Sequence, residues 1–396
     1  MRTAEHLGAH PRLFAGGAFL FVCPQKRERV LILEILQDIL AAIGVVLNGI
    51  PQGLLALTYG FASVPTAIGF AVGAVSCGAL NSVAPISFQA ETIVMAGSMG
   101  KTRRERLSMV MFGGLIMVVL GLTGALSAIT SFAGDAIVHA MMAGVGFVLV
   151  RTAFGMVKEN QIAGWVSVAS AVLIYLVTKY LDPSNALVYT IVGSLIISSV
   201  AAKIAGQKLG ENAVAEQMCR LRLEKPTMNL NVARGALSLA CLTIGANIAF
   251  GNITSGMSGG ELNVDHLTVY SGLADALSSL FGGGPVEAII SATGATPHAV
   301  LSGVIMMAAM ALILFFGLLP KIGKFVPSQS IAGFLFILGA FVTIPGDGAA
   351  AFATGEAGGS VIAAVTMAVT AVFDPFFGML AGIVLKLIIG ATGLAL

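Results

Sequence analysis

Charge is what this chain has least of. Only 10% of its 396 residues are Asp, Glu, Lys or Arg, against 57% hydrophobic, and the mean hydropathy is +0.95. Soluble domains carry about 25% charged residues. A surface facing water on all sides is therefore excluded, and an ordinary soluble enzyme with it. Cysteine is scarce too: Cys23, Cys77, Cys219 and Cys241 lie far apart, form no CxxC or Cys/His set, and so suggest neither a disulfide framework nor a zinc site. His266 and His298 have no neighbours at metal-ligand spacing and are taken as loop residues. No metal or other cofactor is expected. The Walker A pattern is missing, so any use of ATP falls to a separate subunit, and Gly282-Gly283-Gly284 lacks GxGxxG spacing and is taken as a hinge. A net charge of +2 without a basic stripe gives no footprint for nucleic acid.

Apolar runs take the place of the missing charge. A helix needs about 20 mostly apolar residues to cross a hydrocarbon layer of about 30 Å. Such runs fall near residues 33–59, 64–82, 107–131, 135–156, 163–181 and 184–205, and again near 233–256, 267–281, 298–319, 327–345, 348–372 and 374–395. The long hydrophilic stretch 206–227, with Glu211, Glu216, Arg220, Arg222, Glu224 and Lys225, separates the two series. The expected division is an N-terminal segment 1–30, a first repeat 31–206, a connector 207–228 and a second repeat 229–396. Residues 13–22 are apolar but too short to span and lack a clear cleavage site, so they read as a peripheral start. Forty-nine glycines fit helices that approach closely in lipid.

Two further segments, 84–97 and 284–296, are too short to be ordinary spans and hold the same place in each series. Each opens on a proline, Pro85 or Pro285. Proline has no N–H and disfavours helix in the residue before it, so an extended piece leading into a short helix is expected. Counting these breaks, each half has seven elements. Seven is odd, so two halves folded alike must be inverted relative to each other. The predicted fold is an all-α polytopic membrane protein of about 14 transmembrane elements in two inverted seven-element repeats, with discontinuous elements starting near Pro85 and Pro285. Orientation is left open: Lys101–Arg106, Arg151, Lys158, Lys321 and Lys324 favour one sense and Lys26–Arg29 the other.

Charge inside a span costs about 2.5–3.5 kcal/mol at a helix centre, so each such residue needs a reason to be there. Glu91 and Glu287 follow the two breaks, where helix N-termini leave N–H groups free, and are candidates for ligand binding or proton exchange. Surface placement or helix capping is the alternative. Asp275, in a span otherwise without charge, is a third proton-coupling candidate or else a structural partner. Gln89, Ser291 and Thr293 offer uncharged donors and acceptors in the same breaks, and Asn247 and Asn252 lie in the first span of the second half. In the first span, Asn48-Gly49-Ile50-Pro51-Gln52 interrupts an apolar helix, and Gln52 and Asn48 either satisfy the freed backbone or contact ligand. The expected substrate-binding set is Glu287, Ser291, Gln89, Asn247 and Gln52.

The run from Ser278 to Pro285 with Ser291-Ala292-Thr293-Gly294, the segments 83–85 and 140–147, and the stretch from Val326-Pro327 to Gly333 resemble the xanthine/uracil permeases, the nucleobase:cation symporter family, in its hypoxanthine/guanine branch. The resemblance covers most of residues 34–345 and implies a core domain and a gate domain. That family carries carboxylates in its eighth and tenth elements at places that fall here near Leu242 and Ser291, with Glu287 four residues before the latter. Ile50-Pro51-Gln52-Gly53 and Gly283-Gly284-Pro285-Val286 also resemble the sulfate permeases, whose fold is the same. The expectation is a secondary transporter, not an enzyme, that takes up a purine or pyrimidine nucleobase with a proton or sodium ion by alternating access. A small-anion transporter and a facilitative pore are the alternatives. Its expected setting is a bacterial inner membrane, as a multi-pass protein surrounded by the lipid bilayer, with a homodimer as one arrangement. The central pocket requires Pro85 and Pro285 to lie buried and close together; their separation into surface loops removes it.

Overall fold

Apolar sequence becomes helix in lipid because the hydrocarbon offers no partner for backbone N–H and C=O groups, and a helix satisfies its own. The structure, a computed structural model, describes residues 24–183, 186–206, 221–260, 262–353, 355 and 358–392. The expected N-terminal segment up to residue 23 and the connector residues 207–220 lie outside the described residues, and with them Cys23, Cys219, Glu211, Glu216 and Arg220.

The first half runs α1 (Pro24–Thr58), α2 (Ser63–Ala79), β1 (Ile86–Ser87), α3 (Ala90–Met99), α4 (Arg103–Thr123), α5 (Ala125–Ala133), α6 (Asp135–Glu159), α7 (Gln161–Leu181) and α8 (Ala186–Ile204). The second runs α9 (Leu230–Ser258), α10 (Val264–Leu280), β2 (Glu287–Ala288), a 3₁₀ turn (Ala292–Ala295), α11 (Ala299–Phe315), α12 (Leu318–Gly323), α13 (Ala332–Ile337), α14 (Ile344–Phe352), α15 (Gly359–Val372) and α16 (Pro375–Thr392). A 3₁₀ turn (Ser328–Ile331) leads into α13, and a π-helical segment (Leu338–Thr343) joins α13 to α14. Grouped as spans, these are fourteen elements in two sevens, and eight of the described helices are long and apolar enough to cross a bilayer. The chain is an all-α polytopic membrane protein.

Three expectations change in detail. The run 107–131 is broken at Gly124, whose φ of 66° ends α4 and starts α5 in a left-handed conformation that favours glycine. The run 348–372 divides, because the twelfth element continues to Phe352 before α15 begins at Gly359. The second break has no α-helix after its strand, only the 3₁₀ turn Ala292–Ala295. Gly294 weakens a helix there, and Pro297 pushes Thr296 into an extended conformation (φ −91°, ψ 159°), so the turn stops after four residues.

Helices α1–α4 and α9–α11 pack around the two breaks, and α6–α8 with α13–α16 form a second bundle beside them. Within each bundle one crossing is glycine on glycine. A Cβ on Gly114 of α4 would stand 2.6 Å from the Gly272 carbonyl oxygen of α10, and one on Gly339 would stand 2.5 Å from the Gly146 carbonyl oxygen of α6. Arg234 of α9 joins the bundles: its Nε lies 2.5 Å from the buried carboxylate of Asp374, just ahead of α16, and its guanidinium stacks over Phe377. At the same end, Arg103 reaches the Gly60 carbonyl and Glu224, while Arg104 reaches the carbonyls of Lys225 and Pro226, so the start of α4 staples the connector to the helix ends.

Replacing Gly114 by valine should lower stability by about 1–3 kcal/mol, because the obstacle is backbone that cannot turn aside. Gly44→Ala, with nothing within 4 Å of the new Cβ, serves as the neutral control, both read as melting temperature in detergent. Arg234→Ala should cost more than an exposed pair would, because Asp374 is left buried without its counter-charge. A melting temperature unchanged from wild type would show that the pair contributes nothing.

Candidate functional site

The two breaks meet as a ribbon. β1 and β2 pair antiparallel, Ile86 opposite Ala288 and Ser87 opposite Glu287, so the backbone left open by each broken helix is satisfied by the other. Pro85 and Pro285, both buried, sit at opposite ends of this ribbon. Side chains pin each strand in place. Tyr270 Oη donates to the Ala84 carbonyl and lies 3.0 Å from Ser82 Oγ. Val286 N–H donates to Asp275 Oδ1 at 2.7 Å, Gly284 N–H to Thr66 Oγ1 at 2.8 Å, and Thr254 Oγ1 donates to the Ile289 carbonyl at 3.0 Å.

Beside the ribbon, where the two bundles meet, lies a cavity of about 420 Å³. From the first bundle it is lined by Asn48 and Gln52 of α1, Gln89 and Glu91 at the start of α3, Ala249, Phe250 and Ile253 of α9, and Ile289 and Ile290 after β2. The second bundle contributes His139 of α6, Leu187 of α8, Phe334 of α13, and Leu338, Val342, Thr343, Gly346, Asp347 and Ala350 from the π segment and α14. The π turn has a local cause: Pro345 has no N–H to give, and its ring crowds the carbonyl four residues earlier, so the helix widens just before it.

Polarity on this wall is incompletely satisfied. Gln89 is 3% exposed; its Oε1 accepts from Thr92 Oγ1 at 3.2 Å, while its Nε2 has no partner among the described residues, and neither has Asn48 Oδ1. Gln89 occupies the N-cap of α3 without a side-chain capping bond. Glu91 carries no ion pair among the described residues and bonds to its own backbone amide. Opposite, His139 Nδ1 lies 2.9 Å from Asp347 Oδ1, with side-chain exposures of 30% and 15%.

Of the residues singled out in the sequence, Gln52, Gln89 and Glu91 come together on this wall, with Asn48. Glu287, Ser291, Asn247 and Asp275 do not line it. Glu287 is fully buried, accepting from Thr243 Oγ1 at 2.7 Å, next to the Asp275 carboxyl that holds Val286. Asn247 Nδ2 donates to Thr268 Oγ1 and Ser271 Oγ, both at 3.2 Å. Ser291 takes its place through Thr254 and Thr293. Thr293 and Asn252 likewise do not line the cavity. His298, expected in a loop, precedes α11 and pairs with buried Asp38 at 2.9 Å. His139 and Asp347 were not singled out. Ending the twelfth run at residue 345 leaves Asp347 in a presumed turn, although Ile344-Pro345-Gly346-Asp347 carries the same proline-led interruption that marks the two breaks. Among the described residues no three His, Cys, Asp or Glu side chains gather as for a metal ion.

This division predicts two kinds of variant. Asp275→Ala strands the Val286 amide and should cost about 1–3 kcal/mol of stability. Gln52→Ala, whose one bond is a marginal 3.5 Å contact to the Asn48 carbonyl, should leave the melting temperature nearly unchanged while altering ligand binding. The reverse pattern of melting temperatures would place Gln52 in the scaffold.

No protein-family model matches the chain, and no curated protein sequence does. Solved structures do. The transmembrane domain of a cyanobacterium bicarbonate transporter, BicA, superposes with a TM-score of 0.63 over 88% of this chain and 97% of its own, at 15% identity. The murine anion transporter Slc26a9, in its inward-facing state, superposes with a TM-score of 0.65 over 91% of this chain and 69% of its own, at 12% identity. At such identities the likeness is one of fold: this chain has the architecture of the membrane domains of those transporters.

Proposed function

We propose that the chain is a secondary active transporter that carries a nucleobase-like solute through the cavity between the two bundles, by alternating access and coupled to protons. The observation that carries this reading is the composition of the wall. No lysine or arginine lines the cavity, which instead offers the amides of Asn48, Gln52 and Gln89, the carboxyls of Glu91 and Asp347, one imidazole, and the rings of Phe250 and Phe334. A planar, neutral heterocycle with ring N–H and C=O groups matches amides and aromatic faces. An oxyanion would enter beside two carboxyl groups with no fixed cation. Glu91, cavity-lining and without an ion pair, is the proposed coupling group of the first bundle. Glu287 and Asp275 keep a supporting role, holding the ribbon. The membrane is proposed to be a bacterial inner membrane.

Anion transport is the second reading. It is favoured by the start of α3 beside the cavity, whose dipole suits a negative charge, and by the two solved neighbours, which are a bicarbonate and an anion transporter.

Purified protein in liposomes, given labelled hypoxanthine, uracil, sulfate or bicarbonate with and without an imposed proton gradient, separates the readings. Gradient-driven accumulation of hypoxanthine or uracil is expected. Glu91→Gln should abolish the accumulation but preserve exchange of solute across the membrane. Uptake of sulfate or bicarbonate with no nucleobase flux would overturn the nucleobase reading, and flux indifferent to the gradient would make the protein a facilitator.

A further inference from the structure

Among the described residues, two cavity walls face each other with unspent hydrogen-bonding capacity, and they belong to different bundles. The α3 side presents an amide nitrogen without a partner on Gln89. The facing side presents His139, whose Nδ1 is engaged by Asp347 at 2.9 Å and whose Nε2 has no partner among the described residues. A carboxylate accepts, so a neutral imidazole here carries its proton on Nδ1 and leaves Nε2 as a bare acceptor. Asp347 thus sets the tautomer and aims the ring, in the way an orienting carboxylate does for a metal-bound or catalytic histidine.

We propose that His139, oriented by Asp347, is the specificity-determining contact of the second bundle: it accepts a ring N–H from a neutral cyclic amide whose carbonyl is met by the first bundle's amide groups. The inference rests on the substrate reading given above and deepens it, because it states which face of the solute each bundle reads. Bound in this way, the solute ties the two bundles together across the cavity. An oxyanion, which only accepts hydrogen bonds, finds no donor at neutral His139 and needs the imidazolium.

The two ligand classes therefore respond to pH with opposite sign. Protonating the ring removes the Nε2 acceptor and makes it a donor, so nucleobase affinity should weaken on acidification while affinity for an oxyanion rises. The charged and titratable groups around His139 are Asp347 of α14, Asp135 one turn earlier on α6, Glu91 of α3 across the cavity, and Lys386 of α16, whose ammonium bonds the Ala133 carbonyl just before α6. Glu91 also titrates, so its contribution has to be removed in the test.

Equilibrium binding of labelled hypoxanthine, uracil and sulfate to the detergent-purified full chain is measured from about pH 5.5 to about pH 9, in wild type, His139→Gln and Asp347→Asn, each also carrying Glu91→Gln. The expected result is a nucleobase affinity that falls on acidification with Glu91 removed. His139→Gln should flatten that dependence, since its amide offers an acceptor at every pH, and Asp347→Asn should weaken binding by losing the tautomer. Melting temperatures of the variants identify any that fail to fold, and those are replaced by His139→Asn. A pH profile in the His139 variants identical to that of wild type would overturn the proposal. If only sulfate binds, and more tightly in acid through His139, the substrate reading fails while the contact is kept with reversed sign. If sulfate binds indifferently to His139, both fail.

Discussion

Everything in this protein depends on keeping unpaired backbone out of hydrocarbon. An unsatisfied N–H or C=O costs several kcal/mol in lipid, yet two elements of this chain are broken at mid-course, where helical bonding stops. The structure resolves this by pairing the breaks with each other as β1 and β2 and by spending side chains on what the ribbon leaves over. Tyr270, Asp275, Thr66 and Thr254 each hold a backbone group of one break. Asp275, a candidate in the sequence for proton coupling or a structural pairing, is one of these contacts.

That distinction limits what the sequence could reveal. The breaks themselves were legible, since Pro85 and Pro285 interrupt apolar runs at equivalent places, and an odd count of elements forces inversion. Which polar residue of a break faces a cavity was not. Ser87 and Glu287 are cross-strand partners, and the face they share is settled by a register that no local pattern encodes. Gln89 and Glu91 are separated from that ribbon by the switch into α3, which turns them toward the cavity. The second break, by contrast, reaches no α-helix, because Gly294 and Pro297 stop it after one 3₁₀ turn, and so the Ser291 and Thr293 hydroxyls bond to each other while the Ser291 N–H donates to Thr254 Oγ1. The symmetry of the repeats thus made candidates of both Glu91 and Glu287, with Glu287 placed first, while the local chemistry of four residues brings Glu91 to the cavity and leaves Glu287 behind it. Asp347 escaped notice for a related reason. Its proline falls inside a helix that continues through a π turn, whereas an interruption of this kind reads in sequence as the end of a span.

Around the ribbon the backbone groups of the two breaks are paired, while Ser87 Oγ on β1 and Asn247 Oδ1 on α9 have no partner among the described residues. On the cavity wall Gln89 Nε2 and Asn48 Oδ1 are likewise buried without a partner among the described residues, and the half-buried His139 ring leaves its Nε2 unengaged there. Buried polar groups are almost always paired in native proteins, so each exception calls for an explanation. For the two on the cavity wall, the proposed neutral ligand with complementary donors and acceptors would supply one.

The placement of the site between bundles also bears on how it would work. Each bundle is locked internally by a crossing without side chains, Gly114 on Gly272 in one and Gly146 on Gly339 in the other, where backbones approach too closely for either helix to rotate or shift alone. Among the described residues the single ion pair between the bundles is Arg234 with Asp374, near the start of α9 and just ahead of α16, whereas the cavity is lined by the later half of α9 and the first turns of α6. Joined by charge toward one end and separated by a polar cavity further along, the two bodies are laid out for a rotation of one against the other. The proposed alternating access asks for that motion, and a solute held from both walls is the ligand whose binding free energy would depend on it most directly.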